Sequence, residues 1–179
     1  ELTILDNERP GSVWDRTFNA SIKATDYVNA IVIQTDGSVL LAGGFARNGA
    51  ATTDRVIRLD PDGRLDGHFR MVEGMPNHGV LALAVQRDGK VIIGGAFTQI
   101  GSIARNRIAR LNADGSLDFG FNPGSGVTGS AAAAIYAIAL QPDGKLVIGG
   151  NFDSVDGRRR GVVARLNQDG SLDATFSTG

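Results

Sequence analysis

The amino-acid sequence predicts an all-β fold, and three observations support this prediction. The chain contains three copies of one long pattern, each copy holds four short runs rich in Val, Ile, Leu and Phe, and Asp-Gly dipeptides separate these runs in pairs. Repeats of about 50 residues are typical of propellers and solenoids. Short apolar runs between turn signals indicate strands joined as hairpins.

The copies are close enough to fix the period of the repeat. The segment YAIALQPDGKLVIGGNF at residues 136–152 has earlier copies at residues 29–45 and 81–97. A second segment follows each copy and reads RLDPDGRLD, RLNADGSLD or RLNQDGSLD. Its equivalent aspartates, Asp62, Asp114 and Asp169, lie 52 and then 55 residues apart. The chain is therefore a tandem repeat protein.

Four strands, A to D, are predicted in each repeat. In the third repeat they are residues 137–141, 145–149, 161–167 and 171–176. Asp-Gly turns join A to B and C to D, because glycine accepts the positive φ of tight hairpin turns. Strands A and B are apolar at consecutive positions, as in Ile31, Val32 and Ile33 of strand A and in Val91, Ile92 and Ile93 of strand B, which indicates burial on both faces. Blades stacked around an axis bury strands in this way, so we predict a β-propeller of four-stranded antiparallel blades.

The pattern also predicts the domain organisation. We expect a tail of a preceding domain or a linker at 1–9, a lone strand D with its lead-in at 10–27, and repeats at 28–79, 80–134 and 135–179. In the lone strand D, Asp15 and Phe18 keep the three-residue offset of Asp66 and Phe69. Three blades are fewer than a closed propeller contains. The ring is therefore predicted to be partial, or completed by self-association.

Composition and charge exclude several classes of function. The formal net charge of −1 gives no bulk attraction to nucleic acid, and no apolar run is long enough to cross a bilayer. The absence of cysteine excludes disulfides and thiolate chemistry. The two histidines, His68 and His78, form no recognisable catalytic or metal-ligating pattern. We therefore expect a protein that is not an enzyme, has no cofactor, and has neither a nucleic-acid partner nor membrane insertion.

The loops that differ between repeats are predicted to lie together on one face, because the B–C and D–A loops leave the same end of each blade. The B–C loops contain seven arginines against three aspartates. The candidate ligand-binding residues are Arg105, Arg107, Arg158, Arg159 and Arg160. Clustered arginines suit phosphate, sulfate or an acidic glycan, although a solvated surface loop is the simpler interpretation of the arginine run.

The opposite face carries the Asp-Gly turns and is acidic, with ten aspartates against four basic residues. Turns of the form D-x-D-G-x-x-D suggest calcium, because hard cations take several carboxylate oxygens. The candidate metal ligands are Asp60, Asp62, Asp66, Asp114, Asp118, Asp169 and Asp173. The alternative is a purely structural turn, since Asp-Gly is a common hairpin dipeptide and no bidentate glutamate completes an EF-hand pattern.

Other recurring residues have structural interpretations. Arg58, Arg110 and Arg165 share one position of strand C, where a guanidinium can bridge neighbouring blades or bond the aspartate of strand D. Paired glycines end strand B, as at Gly94 and Gly95, and are predicted to permit close backbone approach or a bulge. The GxGxxG string at 124–129 lacks a βαβ context, so we interpret it as a flexible loop insertion rather than a dinucleotide site.

The succession of strand, Asp-Gly turn, Gly-Gly, Phe and R-L-N-x-D-G-S-L-D-x-x-F resembles the delta-60 repeat family of large bacterial surface and secreted proteins. In the second repeat the resemblance rests on Arg110, Leu111, Asp114, Gly115, Asp118 and Phe121. The first residues, ELTILDNE, resemble the closing strand of a Calx-beta domain. The resemblance implies a β-propeller fold in an extracellular or cell-surface bacterial protein.

Two classes of function remain open from the sequence. One is adhesion or binding of a protein or glycan partner through the variable loops. The other is a purely structural spacer or assembly unit without a ligand, and an enzyme is the least favoured class.

Overall fold

A computed structural model describes residues 18, 22, 27–46 and 53–176 of the chain. The tail at 1–9, Arg47 and all of the predicted lone strand D except Phe18 lie outside these residues. The described residues form β-strands and turns, and they include no helix of the length and apolarity that crossing a bilayer requires.

The strands follow the repeat pattern along the chain. In chain order they are β1 (Tyr27–Ile33), β2 (Val39–Ala46), β3 (Thr53–Leu59), β4 (Val80–Val85), β5 (Val91–Gly95), β6 (Gln99–Ile100), β7 (Ile103–Ala104), β8 (Ile108–Leu111), β9 (Val127–Thr128), β10 (Ala134–Leu140), β11 (Leu146–Asn151), β12 (Ser154–Val155), β13 (Arg158–Arg159) and β14 (Val163–Leu166). Three sheets, with the strand orders β1-β2-β3, β4-β5-β8 and β10-β11-β14, are antiparallel throughout and correspond to the three repeats. The predicted all-β fold and the predicted strands A, B and C are confirmed.

Strand D is reduced to a single bridge in each repeat, so the predicted four-stranded blade is not what the described sheets show. The bridges are Leu59 to Leu65, Leu111 to Leu117 and Leu166 to Leu172. The aspartate that follows each bridge ends the pairing. The carboxylate of Asp118 accepts a hydrogen bond from the N–H of Gly120 at 2.8 Å, which turns the chain away from β8.

The predicted burial of strands A and B on both faces is confirmed for strand B of the second repeat but is wrong for strand A of the first repeat, where Ile31 is 47% and Ile33 is 65% exposed. Val91, Ile92 and Ile93 of β5 are 0 to 1% exposed. Val91 and Ile93 belong to a core cluster with Leu40 of the first repeat, whereas Ile92 belongs to a cluster with Leu146 of the third. Each sheet therefore has a rear face toward the preceding repeat and a forward face toward the next one.

The paired glycines permit the close approach that the sequence predicts. A Cβ atom on Gly95 would meet the carbonyl oxygen of Gly79, and one on Gly150 would meet that of Ala134. The register of the sheet shifts at the same place, between Val80 and Ala82 in the second repeat. Strand A thus bulges against strand B, and only glycine leaves room for its carbonyl.

The GxGxxG segment is not the flexible insertion that the sequence suggested. Its residues Val127 and Thr128 form β9, which pairs with β12 of the third repeat. The N–H of Asp156 also donates to the carbonyl of Gly126 at 2.8 Å. The insertion is therefore held by the B–C loop of the following repeat, which the sequence pattern alone does not reveal.

One strained residue gives a test of this backbone. Val162 has φ of 51° and is 62% exposed, so a β-branched residue adopts the left-handed region while its side chain buries little. Val162→Gly should raise the free energy of unfolding by about 1 kcal/mol, because glycine adopts this φ without strain.

The measurement is urea denaturation, with Arg159→Gly as the matched control. Arg159 is exposed and lies in β13, so its replacement by glycine should lower stability by roughly 0.5 to 1 kcal/mol. Equal destabilisation by both glycines would contradict the assigned backbone conformation.

Candidate functional site

The contact between successive repeats has the same components each time, and we call it the joint. Its residues in the second repeat are Arg110, Asp118 and Phe121, which meet the C–D turn of the third repeat. Arg110 is 9% exposed and Asp118 is 8% exposed, so both charged groups are buried. Buried charges of opposite sign stabilise a fold only when they are paired and well hydrogen-bonded.

Arg110 makes three different contacts in the joint. Its Nε donates to Oδ2 of Asp118 at 2.7 Å, and its guanidinium lies 5.0 Å from the ring centroid of Phe121. Its NH1 group donates to the carbonyl oxygen of Gln168, which belongs to the third repeat, at 2.7 Å. One side chain therefore holds the end of its own repeat and the turn of the next one.

The same arrangement joins the first and second repeats. Arg58 donates to Asp66 at 2.7 Å, lies 5.1 Å from the ring of Phe69, and donates from NH1 to the carbonyl of Ala113 at 2.8 Å. The two roles predicted for this arginine, bonding the aspartate and bridging the blades, are both confirmed.

The Asp-Gly turn between strands C and D contacts the end of the preceding repeat. The N–H of Asn122, the residue after Phe121, donates to the carbonyl of Asp169 at 2.7 Å. Gly170 has φ of 94°, and a Cβ there would lie 3.0 Å from Phe121 Cε2. Glycine is required at this turn for its conformation and for the space that the neighbouring ring occupies.

Two lysines that sequence reasoning missed complete the charge pairing. Lys90 donates to Asp118 Oδ2 at 2.8 Å, and Lys145 donates to Asp173 Oδ2 at 2.8 Å. Each lysine is the residue after an A–B Asp-Gly turn. Its recurrence at this position in the second and third repeats is the sequence signal that could have revealed the pairing. Burial alone would raise the pKa of Asp118, but hydrogen bonds from Lys90, the Gly120 N–H and Arg110 outweigh it and lower that pKa. The hydrogen bond from Lys145 is the first cause of a strongly lowered pKa at Asp173.

The candidate metal ligands are engaged in hydrogen bonds within their turns or in ion pairs with basic side chains. Asp60 accepts the N–H groups of Asp62 and Arg64, Asp114 accepts that of Ser116, and Asp169 accepts that of Ser171. Asp62 pairs with Arg64, and the remaining candidates, Asp66, Asp118 and Asp173, pair with the strand C arginines. Among the described residues, no three acidic or histidine side chains come together as a metal site. The calcium interpretation stays a prediction.

The candidate arginines lie around two short hairpins, which we call the hairpin face. One hairpin is β6–β7 in the second repeat, and the other is β12–β13 in the third. β12 also pairs with β9, so the second hairpin belongs to a small three-stranded sheet. Arg158 and Arg159 form β13 and are both exposed.

Arg105 and Arg160 occupy equivalent positions at the base of these hairpins. The NH1 group of each donates to the carbonyl of the residue before it, at 2.9 Å for Arg105 and 2.8 Å for Arg160. The Nε of each is buried without a hydrogen-bond partner. Arg105 also lies 5.8 Å from the ring centroid of Phe119, a neighbour that the pattern did not reveal because Gly67 and Ala174 stand at the equivalent positions.

Arg107 differs from the other candidates because the protein already binds its guanidinium. Nε donates to the carbonyl of Ala133 at 2.8 Å, and NH1 donates to that of Val127 at 2.9 Å. Its backbone has φ of 67°. Arg107 therefore attaches the second repeat to the loop that leads into the third, and fewer of its donors remain for a ligand.

A cleft on the turn side offers little chemistry. It measures about 460 Å³ and lies between the A–B turns of the second and third repeats, with Gln86, Gln141 and Gln168 on its walls. The other described lining residues are Val85, Arg87, Asp88, Leu140, Pro142, Asp143 and Gly144. None of these is a serine, threonine, cysteine or histidine, and the carboxylates among them are those of Asp88 and Asp143, which are both exposed.

Comparison with protein families identifies the repeat. The family described as a domain of unknown function (DUF5122) beta-propeller matches residues 34–69, 86–121 and 141–176. The chain belongs to this family. Each matched segment of the DUF5122 repeat runs from the end of strand A to the phenylalanine of the joint. Neither the curated proteins nor the solved structures gave a significant match. The predicted propeller repeat family is confirmed, whereas the delta-60 name and the Calx-beta resemblance stay predictions.

The pairing of Asp118 predicts how stability depends on pH. An aspartate in an unfolded chain titrates near pH 3.9, and the pKa of Asp118 is lowered in the folded protein. The stability that ionised Asp118 supplies is therefore complete above about pH 4 and is lost as the pH falls toward its folded-state pKa. Asp118→Asn should be less stable than the wild type at pH 6, and the difference should narrow by pH 2.

Urea denaturation of both proteins at several pH values between 2 and 6 measures this difference. Asp88→Asn is the matched control, because Asp88 is exposed and forms no ion pair among the described residues. Its difference from the wild type should be small and constant. A constant difference for Asp118→Asn as well would show that its charge does not stabilise the joint.

Proposed function

We propose that this DUF5122 segment is a non-catalytic recognition module that binds an acidic glycan through the hairpin face. The observation that carries the proposal is a contrast in how arginines are paired. The strand C arginines Arg58, Arg110 and Arg165 each have an aspartate within hydrogen-bond distance. Among the described residues, no carboxylate lies within 4.0 Å of the hairpin-face side chains Arg105, Arg158, Arg159 and Arg160.

Unpaired arginines on a structured hairpin suit recognition of sulfate or carboxylate. A guanidinium presents a planar set of donors that matches these anions with two parallel hydrogen bonds. The β12–β13 hairpin is fixed at its tip, because Asp156 accepts the N–H of Ser125 at 3.0 Å. Arg158 and Arg159 therefore project from a held backbone, and less conformational entropy is lost on binding.

The proposal also includes an extracellular location for the module and a role without catalysis. The family resemblance noted in the sequence supports an extracellular or bacterial cell-surface location. A binding role is supported by His68, because its side chain is 99% exposed and its ring, among the described residues, contacts the carboxylate of Asp66 in its own turn.

Arg158→Gln together with Arg159→Gln should weaken binding to heparin at least about tenfold, because each lost charge-assisted hydrogen bond contributes on the order of 1.5 kcal/mol or more. Heparin serves as the probe because it presents both sulfate and carboxylate groups. The measurement is titration calorimetry at two salt concentrations, and binding should weaken as salt screens the charges.

The control is Arg64→Gln together with Arg87→Gln, which changes the net charge equally on the turn side of the molecule. Arg64 and Arg87 are both exposed, so this variant should fold and bind heparin as the wild type does. Equal weakening by both variants would mean that bulk charge, and not the hairpin face, attracts the probe. An absence of wild-type binding to heparin and to polyglutamate would favour the spacer interpretation.

A further inference from the structure

The forward face of the third repeat is a joint without its other half. Arg165 donates to Asp173 at 2.9 Å and lies 4.8 Å from the ring centroid of Phe176, as its equivalents do. Arg58 and Arg110 also donate from NH1 to a carbonyl of the next repeat, whereas NH1 of Arg165 has no such acceptor among the described residues. Arg165 therefore keeps a donor that is aimed where the next repeat would lie.

The apolar part of the same joint is open as well. Phe69 and Phe121 are each 1% exposed because the following repeat covers them, but Phe176 is only partly buried. The strand A residues Ala82 and Ala84 of the second repeat are buried. Their equivalents in β10, Ala137 and Ala139, are exposed.

Glycine positions in strand B show the shape of the missing partner. A Cβ on Gly94 would lie 2.8 Å from Ile135 Cγ2 and 3.0 Å from Ile138 Cδ1 of the third repeat. A Cβ on the equivalent Gly149 would meet nothing closer than the carbonyl of Val162 at 3.8 Å. In the joint between the second and third repeats, isoleucines of strand A fill the space beside Gly94. The equivalent space beside Gly149 is vacant.

We propose that this forward face, formed by Arg165, Phe176, Gly149, Ala137 and Ala139, docks the rear face of a further repeat of the same pattern. That repeat would supply isoleucine-like side chains from its strand A, an apolar pocket for Phe176, and the carbonyl before a C–D Asp-Gly turn for Arg165. These are the groups that the third repeat supplies to the second, through Ile135, Ile138 and the carbonyl of Gln168.

The first repeat of a second copy is not this partner, because the place that Phe176 would enter on its rear face is already occupied, although Val28 and Ile31 of its strand A are 37% and 47% exposed. Phe18 and Ile22 pack there against Val39, Leu41 and Ile57. Phe18 holds the place on the first repeat that Phe69 and Phe121 hold on the repeats after them. The docked repeat must therefore have a vacant place for Phe176 on its rear face.

The test compares one substitution in two chains. The first chain is the 179-residue protein, and the second repeats residues 122–176 once more directly after Phe176. Gly149→Val should leave the denaturation midpoint of the first chain unchanged, because the space beside Gly149 is open. It should lower the midpoint of the extended chain markedly, because the added valine meets the strand A isoleucines of the docked repeat.

Gly94→Val is the matched control, since it places the same side chain in a closed joint and should destabilise both chains. Equal effects of Gly149→Val in the two chains would overturn the proposal. The mass of the 179-residue chain by light scattering tests the partner separately. A monomer across the concentration series is expected, whereas a dimer that Gly149→Val abolishes would assign the face to a second copy and overturn the named partner.

Discussion

The structure depends on one recurring interaction, the strand C arginine that contacts an aspartate, a phenylalanine ring and the turn of the next repeat at once. Removing the guanidinium at Arg110 would leave the buried Asp118 with Lys90 as its remaining ion-pair partner among the described residues, and the carbonyl of Gln168 without that donor. Leaving such groups unpaired in a buried position costs more than forming the pair contributes. The joint therefore fixes which face each sheet presents to its neighbour, and the apolar packing follows that orientation.

This constraint separates structural from variable parts of the surface. In the second repeat, strand B is covered on both sides and the C–D turn is enclosed by the end of the first repeat, so neither is free to vary toward a ligand. The hairpins β6–β7 and β12–β13 lie outside the joints and differ in sequence between repeats. The hairpins are consequently the candidate surface for binding a ligand, and the forward face of the third repeat is the candidate surface for assembly.

The sequence predicted the features that repeat and missed those that occur once. Strands A to C, the Asp-Gly turns and the bridging role of Arg58 each leave the same signal at three equivalent positions. The position of Arg107 gave no such signal, because Arg55 and Val162 stand at the equivalent sites and make different contacts. Strand D was predicted too long, since its apolar pattern hides the turn that the Asp118 carboxylate imposes. Pairing of β9 with β12 depends on two loops of different repeats, which local pattern cannot connect.

The central claim is that Arg110 stabilises the protein through the next repeat as well as through its own. The measurement that tests it most directly is the free energy of unfolding of Arg110→Lys beside that of Arg165→Lys. Each arginine contacts the equivalent aspartate and phenylalanine of its own repeat. Of the two, Arg110 alone donates to a described carbonyl of a following repeat. Arg110→Lys should cost roughly 1 to 3 kcal/mol more than Arg165→Lys, because lysine cannot bond both the aspartate and that carbonyl. Equal costs would contradict the account, since the contact between repeats would then contribute nothing measurable.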